Sequence, residues 1–128
     1  LGEVLEVFNL KDSTHVVRIG PHGEPEFKLS EGYGIPTGIM GFSDVQVTDS
    51  AIYAVFHGRS FKEIAQNARK GIQVDWGQYI YVFNLKGEPL CKYVLDHCIY
   101  GISVNEQKGT ILATDENKDE PIIEYTMK

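Results

Sequence analysis

Along most of the chain, apolar and polar residues alternate in short runs. This period of two predicts strands rather than helices. Val4–Leu10, His15–Ile19, Phe42–Val47, Ala51–Phe56, Gln78–Leu85, Leu90–Leu95, Ile99–Val104, Thr110–Thr114 and Pro121–Met127 all qualify. Ala51–Phe56 is apolar at nearly every position, as expected of a strand covered on both faces. Turn-forming residues separate the runs, as at Lys11-Asp12-Ser13, Gly20-Pro21, Thr48-Asp49-Ser50 and Lys86-Gly87-Glu88-Pro89. Two segments break the pattern. Phe61–Lys70 spaces Phe61, Ile64, Ala65 and Ala68 by threes and fours, with Ser60 and Gly71 where caps belong. A short helix is predicted there, a compact loop being the alternative. His22 to Gly41 is polar and rich in Gly and Pro, and predicts a long loop of the kind that often carries function.

The runs repeat in order as well as in character. Leu5–Lys11 (LEVFNLK) and Ile80–Lys86 (IYVFNLK) are nearly one word, and Ile122–Lys128 (IIEYTMK) is a weaker copy. Their neighbours match too: FSDVQV with IYGISV, AIYAVF with TILAT, HVVRI with LCKYVL. With strands numbered within a unit, the chain reads third-fourth, first-second-third-fourth, first-second-third. The last two copies of the third strand lie 42 residues apart and the first two lie 75 apart. The long loop and the segment around 59–77 account for the excess. Four short antiparallel strands per roughly 40 residues is the blade of a β-propeller. A sandwich or an up-and-down barrel is the competing arrangement.

The stretches AIYAVFHGRS, YIYVFNLKGEPLCKYVLD, GISVNEQKGTILAT and PIIEYTM resemble the TolB-like six-bladed propellers, a family of uncharacterised proteins common in Bacteroides-type anaerobes. The matching positions are Tyr53 with Gly58-Arg59, Val82-Phe83 with Gly87 and Pro89, and Tyr93, Leu95 and Asp96. The resemblance covers most of 42–128 and, weakly, 4–20. It implies an exported protein, often a lipoprotein, in the periplasm or on the surface of a Gram-negative cell. It carries over no catalytic residue. The expected fold is therefore all-β: a propeller fragment of antiparallel four-stranded blades with a short helical insertion around 60–70. The third and fourth strands of one blade are expected at 4–20, a complete blade at about 42–96 and three strands of the next at about 99–127. Because the chain opens on Leu1 and supplies little more than two blades, it is expected to be a piece of a longer protein that self-associates through open blade edges. Three copies would supply about six blades.

Composition narrows the partners. The net charge is −6 with scattered Lys and Arg, which argues against nucleic acid and anionic membrane surfaces. No apolar run reaches membrane-helix length. Cys91 and Cys98 lie seven positions apart, and the spacing leaves open both a disulfide and two free thiols. His15, His22, His57 and His97 show no zinc-site spacing, so no metal and no cofactor is expected. Asp115–Glu120 (DENKDE) lacks the calcium-loop pattern and is expected to be a solvated turn. No nucleophile elbow or phosphate loop occurs.

The candidate binding residues are His57, Arg59 and Trp76, which flank the insertion, and Tyr33 in the long loop. Trp and Arg are favoured at interfaces, and Trp stacks on sugars. Packing of Trp76 against its own blade is the plainer alternative. The expected function is a non-catalytic binding or scaffold module whose ligand is a protein or a glycan. The alternatives are a catalytic sugar- or peptide-processing propeller with active residues elsewhere, and a spacer.

Overall fold

The computed structural model describes residues 2–21, 23, 27–31, 33–36, 38–72, 77–115 and 121–127. Among these residues, eleven strands and one helix follow in order: β1 (Val4–Asn9), β2 (Thr14–Ile19), β3 (Phe27–Ser30), β4 (Tyr33–Pro36), β5 (Phe42–Val47), β6 (Ile52–Phe56), α1 (Phe61–Arg69), β7 (Gly77–Phe83), β8 (Pro89–Ile99), β9 (Ile102–Asn105), β10 (Thr110–Thr114) and β11 (Ile122–Thr126). Among the described residues, all pairings between these strands are antiparallel and join chain neighbours. They give a four-stranded sheet β5-β6-β7-β8, a three-stranded sheet β9-β10-β11 and the pairs β1-β2 and β3-β4.

The four-stranded sheet sits between the other two main sheets, which explains why β6 is buried throughout. Cross-strand partners in an antiparallel sheet share a face. Tyr53 and Val55 therefore lie beside Val82 and Ile80, and pack with Ile99, Ile111 and Ala113 toward the β9–β11 sheet. The alternate residues Ile52, Ala54 and Phe83 pack with Leu5 of β1 on the opposite face. The apolar-throughout pattern of AIYAVF is thus the signature of two cores meeting at one strand.

The helix forms where its caps predict. Ser60 accepts from the Glu63 amide at 3.1 Å, and the Glu63 carboxylate reaches back to the Ser60 amide. Lys70 closes the last turn and Gly71 follows with φ +78, a left-handed position that favours glycine. No residue of α1 is buried.

Two sequence expectations change. The stretch 22–41 is not a plain loop, because β3 and β4 pair over Phe27–Ser30 and Tyr33–Pro36, with Ser30 opposite Tyr33. That register leaves a two-residue turn, and Glu31 takes φ 51, as tight hairpin turns of this length demand. Glycines masked a short hairpin signal. The second change concerns Ile99, expected to open a strand. It ends β8 instead, opposite Gly77, after a register shift between Gly77 and Tyr79. Gly77 is glycine for a local reason: a Cβ there would sit 2.4 Å from the Phe56 carbonyl oxygen. Cys91 and Cys98 both lie on β8 and form no disulfide with each other. Cys91 lies opposite Val82, and Ile99, next to Cys98, lies opposite Gly77, so the two cysteines stand about four to five strand positions apart, roughly 13–17 Å and beyond disulfide reach.

Candidate functional site

Three polar constructions and one cavity stand on this scaffold. The first is at the end of β6, where sequence analysis placed His57 and Arg59. Chain 39–41 runs antiparallel to 57–60: the His57 amide donates to Gly41 at 3.0 Å, Gly58 to Met40 at 2.9 Å, and Met40 to Arg59 at 2.9 Å. Gly58 has φ +79 and lies so close to Phe56 that a Cβ would meet its ring at 2.6 Å. The kink turns His57 inward, where it is 2% exposed. Its Nδ1 accepts the Arg59 amide at 3.1 Å, which places the ring proton on Nε2. The Arg59 Nη2 donates to the Gln78 side-chain oxygen, while Nη1 is buried without a hydrogen-bond partner among the described residues. His57 and Arg59 therefore brace the base of the insertion. Trp76 lies outside the described residues, as does the side chain of Tyr33, so of the four candidates only His57 and Arg59 are brought together.

The second is the seam between β5 and β9, which sequence reasoning missed. Asp44 and Gln46 face β9 because their register partners, Val55 and Tyr53, belong to that face of the sheet. The Gln46 amide imitates a strand residue: its Oε1 accepts the Val104 N–H at 2.8 Å and its Nε2 donates to the Val104 carbonyl at 3.4 Å. Asp44 Oδ2 accepts the Ile102 N–H at 2.9 Å, and Ser43 donates to the Tyr100 carbonyl at 2.8 Å. Glu106 continues the line, accepting from Ser50 and, at 3.1 Å, from Tyr53. The Ser50 hydroxyl, with Thr48 and Tyr53, holds Glu106 below its ordinary pKa. Burial pushes the Tyr53 phenol up to about 12, and the bond to Glu106 adds to the effect. The polar residues of FSDVQV at alternate positions were the available signal.

At the far end of β8, His97 Nδ1 lies 3.0 Å from Asp115 Oδ2, with Asp115 only 3% exposed. Tyr125 donates to Asp96 Oδ1 at 2.9 Å, and Asp96 also lies 3.7 Å from His97 Nε2. Burial first, then Asp96, raises the Tyr125 phenol well above its ordinary value. Asp115 is thus not part of a solvated turn; the rest of that acidic run lies outside the described residues. No group of three or more metal-ligating side chains forms among the described residues.

The fourth site is a cavity of about 460 Å³ between the β1–β2 and β5–β8 sheets. Leu5 and Arg18 are opposite one another on β1–β2, and Tyr81 and Lys92 are opposite one another on β7–β8. Phe42, Phe83, Pro21 and Pro89 complete its apolar walls. Glu3 lies at its buried side, 5% exposed and folded across Gly20, where a Cβ would come within 2.1 Å of the carboxylate carbon. The Tyr81 hydroxyl is hydrogen-bonded to Glu3; burial and that carboxylate together push the phenol up to about 12.

Sheets of four short antiparallel strands, one packed face to face on the next, are how propeller blades pack. The profile of the TolB-like 6-blade propeller-like family matches residues 1–107. The chain belongs to this family. No curated protein and no solved structure matches it. As a TolB-like propeller module, the chain places the β6–β7 insertion beyond a strand end and the 460 Å³ cavity between neighbouring sheets. No described helix is long and apolar enough to cross a membrane.

Proposed function

We propose that this propeller module is a non-catalytic binding or scaffold unit of an exported bacterial protein, acting in the periplasm or at the cell surface. Its ligand, a protein or a glycan, is held by the insertion between β6 and β7. One observation carries this reading: α1 is a complete, well-capped helix that buries no residue. A nine-residue helix is marginal alone in water, and most helices repay their cost by packing. This one adds nothing to either core, yet its base is braced by His57, Arg59 and Gln78. An exposed element on a rigid base is the usual arrangement of a recognition loop. Trp76 follows in the same insertion in the sequence, and an indole is a residue type that stacks on sugars and apolar side chains.

The His97–Asp115 pair favours the alternative of a catalytic propeller, since a buried carboxylate that orients a histidine is a recurring part of acid–base sites. A glycan array and defined peptide libraries, probed with the native chain and with a chain whose residues 60–76 are replaced by a short Gly-Ser turn, test the proposal. Saturable binding that is lost in the replaced chain, with melting unchanged and no turnover, supports it. Hydrolysis that is abolished by His97→Ala supports the alternative and overturns it.

A further inference from the structure

We infer that the cleft between the β1–β2 and β5–β8 sheets is a second binding site, for a small amphipathic anion with a flat apolar body. It stands on different residues from the insertion and does not depend on that reading. Its volume of about 460 Å³ suits a ligand of drug size. Its walls are mostly apolar and aromatic, and its polar groups are few and sorted by depth, as binding cavities are built. Phe42 and Tyr81 stand edge to face with centroids 5.9 Å apart, and Phe83 meets Tyr81 at 6.4 Å. These rings present flat surfaces for a planar body.

The charges fix the ligand's polarity and orientation. Arg18 and Lys92 approach from opposite sheets and are both exposed, so they sit where the cleft meets water. Arg18 is aimed by its Nε–H bond to the Gly87 carbonyl at 3.0 Å, which leaves the outer edge of the guanidinium for a carboxylate or sulfonate. The Lys92 ammonium lies 5.2 Å from the Tyr79 ring centroid. Glu3, the one carboxylate among the described residues of the lining, is at the buried side and already bonded to the Tyr81 hydroxyl. It therefore meets the apolar end of a ligand whose acidic group points outward. A ligand entering acid-first would bring its charge beside Glu3 in a low-dielectric setting, at a cost several times that in water. That is the basis of discrimination.

The test is an amide chemical-shift titration of the 128-residue chain with 2-naphthoate, and in parallel with neutral 2-naphthamide and cationic 2-naphthylmethylammonium. The expected result is saturable shifts at Leu5, Arg18, Tyr81 and Lys92 with 2-naphthoate, at a Kd below about 1 mM, and weaker binding of the other two. Lys92→Gln, a change at an exposed site, should weaken 2-naphthoate about three- to tenfold while leaving 2-naphthamide unchanged. Leu5→Trp, which fills the cleft, should abolish shifts for all three probes. Equal affinity for the three, preference for the cation, or shifts confined to the β6–β7 insertion would each overturn the assignment. If Leu5→Trp fails to fold, the Lys92→Gln comparison decides alone.

Discussion

At the residue scale, single side chains hold positions that nothing else in the standard set fills. Gly58 combines φ +79 with a ring of Phe56 at 2.6 Å from any added Cβ. Gly58→Ala should therefore cost about 1–3 kcal/mol, from the left-handed backbone and the displaced ring together. A shift of the urea midpoint at constant slope measures it, and an unchanged midpoint would show that the kink relaxes freely. The tyrosines give a pH signature. Tyr53 and Tyr81 have phenols raised to about 12 by burial and by Glu106 and Glu3 respectively. A raised folded-state pKa means stability that is complete below the unfolded value near 10 and fades as pH climbs from there through about 12. Denaturation midpoints should accordingly hold up to about pH 9 and fall steeply above pH 10, and the fall should be shallower in Tyr53→Phe. A profile that is flat from pH 9 to 12 would count against the burial of these phenols.

At the element scale, the β5–β9 seam and α1 make opposite predictions. Gln46 is the sole partner that the described residues give to both backbone groups of Val104 on that edge, so Gln46→Leu should cost about 1–3 kcal/mol of global stability. Ser60→Ala removes the capping box and should cost about 1 kcal/mol of helix stability. Because α1 has no fully buried residue and joins neither core cluster, that loss should stay local. Faster hydrogen exchange at Ile64, whose amide bonds to the Ser60 carbonyl, with an unchanged melting midpoint is the expected pair of results. A lowered midpoint would mean that the helix supports a core after all. The same elements show how far the sequence could be read. The capped helix and the strand repeats were legible because caps and period-two patterns are local signals. The β3–β4 hairpin was not, since its strands are only four residues each and sit among glycines and prolines. The end of β8 was misjudged because a bulge resets the register, and bulges leave little trace in hydrophobic pattern. Of the candidate site, His57 and Arg59 were visible as unusual residues flanking an insertion. The cleft was not, because Leu5, Arg18, Tyr81 and Lys92 converge only once two sheets have packed.

At the scale of the whole molecule, what remains unpaired determines behaviour. Among the described residues, β1 pairs with β2 alone and β11 with β10 alone. The free edge of β11 can be read residue by residue. Met127 donates to Gly109 at 2.8 Å and Asp115 to Pro121 at 2.7 Å, which sets the alternation of the β10–β11 ladder. By that alternation the amides of Ile123 and Tyr125 point to β10, and those of Ile122, Glu124 and Thr126 point outward. The same logic on β1, anchored by the Gly20 amide bonded to Glu3 at 2.8 Å, turns the amides of Val4, Glu6 and Phe8 outward. Exposed strand edges template pairing with another chain. The 128-residue chain, studied by itself, should therefore associate edge to edge, with a scattering mass that rises with concentration. Glu124→Pro deletes an outward amide without removing a bond to β10, so it should suppress association and leave the monomer's midpoint nearly unchanged. Ile123→Pro, one residue away, deletes an inward donor and should unfold the β9–β11 sheet instead. If the native chain is a monomer at all concentrations and melts in one sharp step, its edges are protected by side chains, and association plays no part in its stability.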